Sequence, residues 1–300
     1  MTGETRSANQ QQTEDAFAFK WRKRDTYESA EVQAEWGRWL LTKYFGGDEA
    51  ELDRLLGTDA PKKILDAGCG SGGSGLLLFG DRLKVHEYVG VDISDAVYIA
   101  QERFRERGIP AVFVQSDINM IPAGHGPFDL VFSEGVLHHT DSVETAILAL
   151  SKQLKPSGRL LFYVYSKKAP IREFTDDHVR EAVAGMSNEA AWHALMPLTK
   201  LGKALGELDI EILVEEDIPF LGIAKGKYNL QRLFYYKFCK AYFRPEYSLD
   251  EMNHINFDWY RPLNCHRHSP EEVVGFCERA GLTLERLHVE ESGISVIARK

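Results

Sequence analysis

Residues 64–72 read Ile-Leu-Asp-Ala-Gly-Cys-Gly-Ser-Gly, an apolar run that leads through one acid into three alternating glycines. Glycine adopts positive φ readily and has no Cβ to obstruct a ligand, so these glycines predict a sharp turn close to a bound group. A second apolar run, residues 88–91, ends in Asp92. A strand, a glycine turn, a helix and an acid-tipped second strand form a nucleoside-binding βαβ unit, in which the acid accepts the ribose hydroxyls.

The glycine spacing by itself leaves the kind of nucleoside cofactor open. Gly68, Gly70 and Gly73 also fit the G-x-G-x-x-G pattern of dinucleotide-binding folds, which is weak alone. Asp66 lies two residues before the first glycine, where it would face the ligand at the carboxyl end of its strand. The choice between these kinds of cofactor therefore depends on the residues that follow the later strands.

Three further strands are predicted, the last of them after a helix that is expected to end over residues 154–158. Strands that alternate with helices in this way predict a parallel sheet with crossover helices. The three strands are residues 111–115 before Asp117-Ile118, residues 128–132 before Ser133-Glu134 and His138-His139, and residues 158–165.

This ordered series resembles the class I methyltransferases that use S-adenosylmethionine, over about residues 62–165 and, near the end of the chain, 269–300. The resemblance implies an α/β fold, with a Rossmann-like, doubly wound sheet of about seven strands whose last strand is antiparallel. It also implies S-adenosylmethionine as the cofactor and methyl transfer as the reaction. The motifs are specific for the cofactor and the fold and much less so for the substrate.

By resemblance, the cofactor-binding residues lie at the carboxyl ends of the predicted strands. The glycines would admit the methionine and ribose parts, Asp92 would hold the ribose, and Asp117 would bond to the adenine unless it only caps the next turn. Cys69, inside the turn, is expected to be a packing residue rather than a nucleophile. The complete predicted set is Asp66, Gly68, Cys69, Gly70, Gly72, Asp92, Ile93, Asp117, Ile118, Ser133 and Glu134.

His138 and His139 follow the fourth strand, where the family's acceptor faces the methyl group. An imidazole titrates near about pH 6.5, which suits a general base. Adjacent residues of an extended segment point to opposite faces, so one of the two is expected to reach the acceptor, and we favour His139. The alternative is that an imidazole only bonds to the backbone of the helix that begins near residues 141–142. The pair is similar to that of small-molecule O-methyltransferases, so oxygen is the expected acceptor atom.

From residue 166 to residue 268 the alternation of strands and helices stops, and this segment reads as mostly helical. The core resumes with a helix that Ser269 caps and Pro270 begins, followed by two strands. The predicted domains are a polar and aromatic segment (1–25), N-terminal helices (26–61), the S-adenosylmethionine-binding core (62–165 and 269–300) and a helical cap inserted after strand five (166–268).

The acceptor is expected to bind at the cap, because ligands of open α/β sheets bind beyond the carboxyl ends of the strands. The aromatic residues late in the cap form either its own small core or, for a few of them, a pocket lining. Two candidates for substrate contact have a simpler interpretation: Tyr165 as a tyrosine at the edge of the sheet, and Arg172 as an arginine on the surface of a helix. The substrate-contact candidates are Tyr165, Arg172, Asp258, Tyr260 and His266.

The N-terminal region has two predicted parts. The first fifteen residues are polar and predict a disordered tail. Phe17, Phe19, Trp21 and a helix over about residues 27–45 either fold over the cofactor as a lid or pack against the flank of the sheet.

Composition limits the partners and the compartment. The net charge of −9 argues against broad binding of nucleic acid or membrane surfaces, and no run approaches the roughly 20 apolar residues of a membrane span. Four cysteines without a C-x-x-C pair predict a reducing, cytoplasmic setting. The run Cys265-His266-Arg267-His268 lacks tetrahedral spacing, so no metal site is predicted there. Homo-oligomerisation is left open.

The leading hypothesis is a methyltransferase that acts on a small-molecule oxygen nucleophile with a histidine base. Nitrogen or carbon acceptors remain open, as does an enzyme on this fold that does not methylate. A nicotinamide-dependent oxidoreductase is disfavoured by the position of Asp66 and by the closing hairpin. A non-catalytic binding module is the remaining alternative.

Overall fold

The computed structural model describes residues 7–23, 29–57 and 60–300. The chain forms two compact units. Among the described residues, the first, here called the sheet unit, comprises residues 7–21, 33–57, 60–166 and 264–300. The second, here called the helical unit, comprises residues 22–23, 29–32 and 167–263.

Three helices precede the first strand, and strands then alternate with helices up to the fifth strand except between the third and fourth strands. They are α1 (Ala8–Arg22), α2 (Ala30–Phe45), α3 (Glu49–Leu56), β1 (Lys63–Ala67), α4 (Gly73–Phe79), β2 (Glu87–Asp92), α5 (Ala96–Glu106), β3 (Ala111–Gln115), β4 (Phe128–Ser133), α6 (Val143–Lys152) and β5 (Leu154–Ser166). After β5 come α7 (Pro170–Ala184), α8 (Asn188–Glu207), β6 (Glu211–Val214), β7 (Gly226–Asn229), α9 (Leu230–Lys237), α10 (Leu249–Tyr260), β8 (Arg267–His268), α11 (Pro270–Arg279), β9 (Thr283–Val289) and β10 (Gly293–Arg299).

The sheet of the sheet unit has the order β3-β2-β1-β4-β5-β10-β9, and the short β8 pairs with the end of β5. The strands β1 to β5 are parallel, whereas β10 runs antiparallel to both β5 and β9. The predicted doubly wound sheet with an antiparallel end is therefore confirmed. The strand order reverses between β1 and β4, and ligands bind at such a switch point. The carboxyl ends of β1, β2 and β4 bring Ala67, Asp92 and Ser133 to this place.

Two local predictions in the sheet unit are wrong. Residues 154–158 were expected to end a helix, but α6 ends at Lys152 and β5 begins at Leu154. The reason is a long-range pairing, because Ser157 N–H donates to the Lys300 carbonyl at 3.1 Å. The predicted disordered tail is also wrong for residues 8–15, which lie in α1. Residues 1–6 lie outside the described part of the chain.

Helix α2 packs into the core of the sheet unit and is not a free-standing lid. Leu40, Tyr44 and Phe45 are buried in the same hydrophobic cluster as Phe79 and Phe132. Of the two predicted roles for this helix, packing against the flank of the sheet is the one observed. Residues 27 and 28 of the predicted helix lie outside the described residues.

The helical unit is built mainly from α7, α8, α9 and α10, with a two-stranded antiparallel sheet of β6 and β7. Buried hydrogen bonds of two asparagine side chains join α8 to α10. Thr199 Oγ1 donates to Asn253 Oδ1 at 2.7 Å, and Asn256 Nδ2 donates to Thr199 Oγ1 at 2.8 Å. Ser248 and Glu251 cap the start of α10 reciprocally. Among the residues that the structure describes, no helix is long and apolar enough to cross a membrane.

Candidate functional site

The glycine turn after β1 has the backbone geometry that its sequence predicts. Gly68, Gly70 and Gly72 all have positive φ, at 84°, 50° and 79°. A methyl group added at Gly70 would lie 2.7 Å from Trp21 Cζ2, and one at Gly68 would collide with Val136. These positions therefore require glycine both for the turn and for the close approach of neighbouring groups.

Asp92 at the tip of β2 is tied to the glycine turn. Its Oδ2 accepts a hydrogen bond from Gly70 N–H at 2.8 Å, and its Oδ1 accepts from Ser94 N–H at 2.9 Å and from Ser94 Oγ at 2.7 Å. Burial raises the pKa of this carboxyl, and the bonds from Ser94 and Gly70 oppose that rise. The carbonyl of the next residue, Ile93, accepts from Gln115 Nε2 at 3.1 Å. The acid that was predicted to hold a ribose is thus fixed against the turn.

Asp66 is almost completely buried under the same turn, and its Oδ2 accepts from the Tyr88 hydroxyl. Burial raises the pKa of Asp66 to about 7, the Tyr88 bond lowers it, and the charges of Asp92 and Glu134 raise it. A methyl group added at Gly75 would lie 2.9 Å from Asp66 Oδ2, so α4 must pass very close to this acid. Asp66 therefore stands in a group of three neighbouring acids.

Glu134 forms a buried ion pair with Lys43 of α2. Its Oε1 pairs with Lys43 Nζ, and its Oε2 accepts from the Tyr44 hydroxyl at 2.7 Å. The Lys43 ammonium also lies 3.5 Å from the centre of the Trp39 ring and 4.0 Å from that of Tyr163. Burial lowers the pKa of Lys43 to about 8, although the charge of Glu134 and its hydrogen bond oppose the shift.

The sequence predictions missed Lys43. A lysine on a helix is usually solvated, and its partner Glu134 lies 91 residues away in the chain. A usable signal was its place between Leu40 and Tyr44, at the spacing of the buried face of α2.

Several other residues that were predicted to bind the cofactor also make structural contacts within the protein. Ser133 Oγ donates to the Ala67 carbonyl at 2.8 Å and joins β4 to β1. Asp117 Oδ1 accepts from Asn119 N–H at 2.8 Å, which is the turn-capping role considered as its alternative. Ile118 is buried in the core, and Cys69 is buried within the turn, where burial raises the pKa of its thiol well above the usual value. The thiol is thus unsuited to nucleophilic chemistry.

His138 and His139 lie in a turn of 3-10 helix over residues 137–139, directly after β4. The His139 Nδ1 atom is 2.7 Å from the carbonyl oxygen of Asn264. Its ring also meets Phe17 edge-on, with 4.7 Å between ring centres. The His138 ring lies over Tyr165 at 3.7 Å with an angle of 30° between the planes, and the His138 carbonyl accepts from His266 N–H at 2.9 Å.

The five substrate-contact candidates divide between the two units. Tyr165 and His266 belong to the sheet unit and accompany the histidine pair. Arg172, Asp258 and Tyr260 belong to the helical unit. Within residues 7–23, 29–57 and 60–300, no group of three or more histidine, cysteine or acidic side chains could hold a metal ion.

Arg172 and Tyr260 both donate hydrogen bonds to one buried carboxylate, that of Asp176. Arg172 Nε donates to Asp176 Oδ2 at 2.6 Å, and the Tyr260 hydroxyl donates to Asp176 Oδ1 at 2.7 Å. Arg172 is only 1% exposed, so the alternative of a helix-surface arginine is wrong. Sequence reasoning missed Asp176, although its position four residues after Arg172 on α7 is the spacing of a helical ion pair.

The residues around the turn fit a cofactor that carries a ribose. Three glycines with positive φ form the turn, and a carboxylate lies at the end of β2 where hydroxyls would be bound. Three acidic residues, Asp66, Asp92 and Glu134, lie near the turn, and Glu134 is paired with Lys43.

Comparison with known proteins agrees with this geometry. Residues 65–162 match the family described as a methyltransferase domain. In solved structures, magnesium protoporphyrin IX methyltransferase from Synechocystis PCC 6803 with bound SAH superposes with a TM-score of 0.50 at 16% identity, covering 97% of this chain and 98% of that one. At this identity the likeness concerns the fold. Residues 65–162 thus match a methyltransferase domain, and the sheet has the fold of class I S-adenosylmethionine-dependent methyltransferases.

Curated relatives differ in what they methylate. A protein-L-isoaspartate O-methyltransferase of Xanthomonas campestris pv. campestris is 30% identical over 150 residues, which is 50% of this chain and 60% of that protein. Phosphoethanolamine N-methyltransferase 1 of Triticum aestivum is 28% identical over 180 residues, 56% of this chain and 36% of that protein. The chain thus spans less than two thirds of either relative.

Proposed function

We propose that this protein transfers a methyl group from S-adenosylmethionine to a small-molecule acceptor, with oxygen as the nucleophile and His139 as the general base. The observation that carries the base assignment is the 2.7 Å contact between His139 Nδ1 and the Asn264 carbonyl. A carbonyl oxygen only accepts hydrogen bonds, so Nδ1 must carry the proton. The lone pair of the neutral ring then belongs to Nε2.

The proposed reaction needs little covalent work from the protein. S-adenosylmethionine, held at the glycine turn, would supply an activated methyl group on a sulfonium. The protein's residues orient the reactants, and His139 Nε2 takes the proton from the acceptor hydroxyl. The Asn264 carbonyl stabilises the imidazolium that results, because it keeps its hydrogen bond from Nδ1–H.

Two acids are proposed to hold the cofactor. Asp92 would accept the ribose hydroxyls at the end of β2, and Glu134 would face the positively charged methionine part. The ion pair with Lys43 and the bond from Tyr44 hold Glu134 in one orientation. We therefore assign Lys43 and Tyr44 as positioning residues for Glu134.

The names of the relatives support methyl transfer but include both oxygen and nitrogen acceptors. Oxygen is favoured because a base is needed to remove a hydroxyl proton, and the contact of His139 Nδ1 with the Asn264 carbonyl supports His139 Nε2 as that base. A small-molecule acceptor, a cap over residues 166–268 and a cytoplasmic location remain predictions from the sequence.

Cofactor binding is tested by calorimetric titration of the full chain with S-adenosylmethionine and, separately, with NADH. We expect binding of the first only. Asp92→Asn should weaken it by about tenfold or more, since losing a charge-assisted hydrogen bond costs about 1.5–3 kcal/mol. Asp95→Asn, an exposed acid of the same loop, is the matched control and should bind as the wild type does. Binding of NADH alone would refute the proposal.

Turnover is tested with methyl-labelled S-adenosylmethionine and a low-molecular-weight metabolite fraction. Label should appear in small molecules, and demethylated cofactor should accumulate in step with it. Demethylated cofactor without labelled product, or labelled macromolecules only, would contradict a small-molecule methyltransferase.

A further inference from the structure

We infer that Asn264 is a positioning residue for His139, and that helix α1 is part of the support that orients the imidazole ring. All the residues that make these contacts belong to the sheet unit. The inference rests on the proposed function in one respect, since the oriented ring would be the general base.

The segment over residues 264–266 is bonded to the histidine turn at two points. The Asn264 carbonyl accepts from His139 Nδ1–H at 2.7 Å, and His266 N–H donates to the His138 carbonyl at 2.9 Å. One bond thus goes to the ring and the other to the backbone of the turn. The direction of the ring therefore depends on where the Asn264 carbonyl lies.

Asn264 is itself held through all of its N–H bonds. Its backbone N–H donates to Thr13 Oγ1 at 3.1 Å. Its side-chain amide donates to Asp141 Oδ1 at 2.8 Å and to Gln10 Oε1 at 3.2 Å. An asparagine has one backbone N–H and two side-chain N–H bonds, so each donor has an acceptor here. A buried residue bonded in this way has little freedom to turn its carbonyl away from His139.

The beginning of α1 is joined to the same segment that carries the histidines. Asp141 follows His139 by two residues, and its Oδ1 also accepts from Ser7 Oγ at 2.6 Å. Ser7 Oγ in turn accepts from Gln10 N–H at 3.0 Å, which is the spacing of a helix cap. The start of α1 and the side chain of Asn264 therefore share one carboxylate oxygen.

One face of α1 makes the contacts near the ring. Gln10, Thr13 and Phe17 follow one another at intervals of three and four residues, which places them on one side of the helix. Phe17 meets the His139 ring edge-on, with 4.7 Å between ring centres. Thr13 is buried, and valine has nearly the same shape, so packing alone does not require a hydroxyl at this position. Helix α1 thus supports the ring directly through Phe17 and indirectly through Asn264.

The orientation of the ring matters for proton transfer. In a neutral imidazole, the hydrogen bond made by one nitrogen decides which nitrogen carries the proton. A base must also lie within hydrogen-bond reach of the proton that it takes, and a misplacement of about 1 Å can cost about 10²-fold in rate. Loosening Asn264 should therefore slow the transfer step and leave the affinity for the cofactor unchanged.

The kinetic test uses Thr13→Val in the full chain, which keeps the volume and removes the acceptor of Asn264 N–H. The rate is that of label transfer from saturating methyl-labelled S-adenosylmethionine to a low-molecular-weight metabolite fraction. We expect a loss of about tenfold or more, with the calorimetric affinity for S-adenosylmethionine within about twofold. A rate equal to that of the wild type would overturn the inference.

Two matched variants accompany this test. Thr13→Ser retains the hydroxyl and should keep the rate within about threefold of the wild type. Thr145→Val changes an exposed threonine of α6 in the same way and should leave the rate unchanged. A loss in Thr13→Ser as large as that in Thr13→Val would show that the hydroxyl is not the cause, which would count against the inference.

A double variant separates positioning from support of the fold. Thr13→Val is combined with His139→Gln, which has no imidazole left to orient. The added change should then alter the residual rate by less than about twofold, because a positioning residue acts only through the ring that it positions. A further loss as large as that of Thr13→Val alone would overturn the inference.

The ring can also be observed directly, by nuclear magnetic resonance of the full chain carrying nitrogen-labelled histidine. The ring nitrogens of the two tautomers have different chemical shifts, and His139→Gln identifies the signals of His139. We expect the Nδ1–H form in the wild type and in Thr145→Val, and a mixture with the Nε2–H form in Thr13→Val.

Asn264→Asp should give the same mixture, because it removes both side-chain donors and places a second carboxylate beside Asp141. Should this variant fail to fold, Thr13→Val decides the question by the same measurement. An unchanged Nδ1–H form in the variants that fold would overturn the inference.

The two kinds of measurement keep this inference apart from the proposed function. A ring that responds to Thr13→Val in a protein that transfers no methyl group would support the inference and refute the proposed function. Methyl transfer by a protein whose His139 ring does not respond would do the reverse.

Discussion

At the scale of single residues, one hydrogen bond decides which nitrogen of His139 can act as a base. Because the Asn264 carbonyl accepts a hydrogen bond from Nδ1–H, the lone pair of the neutral ring is at Nε2. His138 is placed differently, with its ring stacked over Tyr165 and its backbone carbonyl bonded to His266. The two adjacent histidines thus have different surroundings, and substitution can test whether their roles differ.

We predict that His139→Gln lowers kcat by about 10²–10⁴, the usual contribution of a general base. The affinity for S-adenosylmethionine should stay within about twofold, because His139 is not one of the residues proposed to bind the cofactor. His138→Phe, which retains an aromatic ring against Tyr165, should keep kcat within about fivefold. Steady-state kinetics and calorimetry test this, and equal losses in both variants would contradict the assignment.

The buried pair of Lys43 and Glu134 gives a second prediction. Glu134→Gln leaves the Lys43 ammonium buried without its counter-charge, which should destabilise the fold by about 3 kcal/mol or more. The double change Lys43→Met with Glu134→Gln should recover part of the loss. Glu87→Gln, which removes an exposed ion pair with Lys63, is the control and should cost less than about 1 kcal/mol. Urea unfolding measures all three, and equal losses in Glu134→Gln and Glu87→Gln would refute the buried pair.

At the scale of elements, helix α2 belongs to the core and not to a movable lid. Leu40 and Tyr44 are completely buried beside Phe79 and Phe132. Removal of residues 1–45 would therefore expose the hydrophobic core of the sheet unit. The loss of cofactor binding in such a truncation would report unfolding rather than the loss of a lid.

Leu40→Ala should accordingly lower the free energy of unfolding by about 2–5 kcal/mol, since it opens a cavity in a packed core. Arg38→Ala, on the exposed side of the same helix, should change it by less than about 0.5 kcal/mol. Denaturant unfolding gives both values. A loss below about 1 kcal/mol at Leu40 would show that α2 does not support the core.

The sequence predicts elements well where local residues determine them. The run over residues 64–72 has an apolar strand followed by glycines at positive φ, and both features are local. The start of β5 was not predictable, because Pro156 and Gly158 read as loop residues and the pairing with Lys300 lies at the other end of the chain. Helix α1 was missed for a similar reason, since Thr13 Oγ1 accepts from Asn264 N–H, 251 residues away.

The residues of the candidate site also divide into those that local sequence predicts and those that depend on distant partners. Its backbone cradle and Asp92 are predictable from motif spacing, whereas Lys43 and Asp176 have tertiary partners, Glu134 and Trp259, that helical spacing alone does not identify. A lysine in α2 and an aspartate in α7 read as surface residues until the fold brings their partners to them.

At the scale of the whole molecule, buried acids make stability depend on pH. Burial raises the folded-state pKa of Asp66 to about 7 from an ordinary value of 3.8. Between these two values the folded state binds more protons than the unfolded state does. The contribution of Asp66 to stability is therefore greatest below pH 4 and decreases as the pH rises towards 7.

Asp66→Asn mimics the protonated acid and should remove this dependence. The variant and the wild type should be about equally stable near pH 4, and the variant should be more stable by on the order of 4 kcal/mol near pH 8. Unfolding curves at a series of pH values test this. A difference that stays constant with pH would contradict the raised pKa of Asp66.

The position of Trp21 beside Gly70 has an optical consequence. A methyl group at Gly70 would come within 2.7 Å of the indole, so any molecule that enters the turn changes what the indole touches. Indole emission depends on its surroundings, and the chain has only four other tryptophans. Fluorescence of the wild type, compared with that of Trp21→Phe, should therefore report occupancy of the glycine turn directly, without any label attached to the protein.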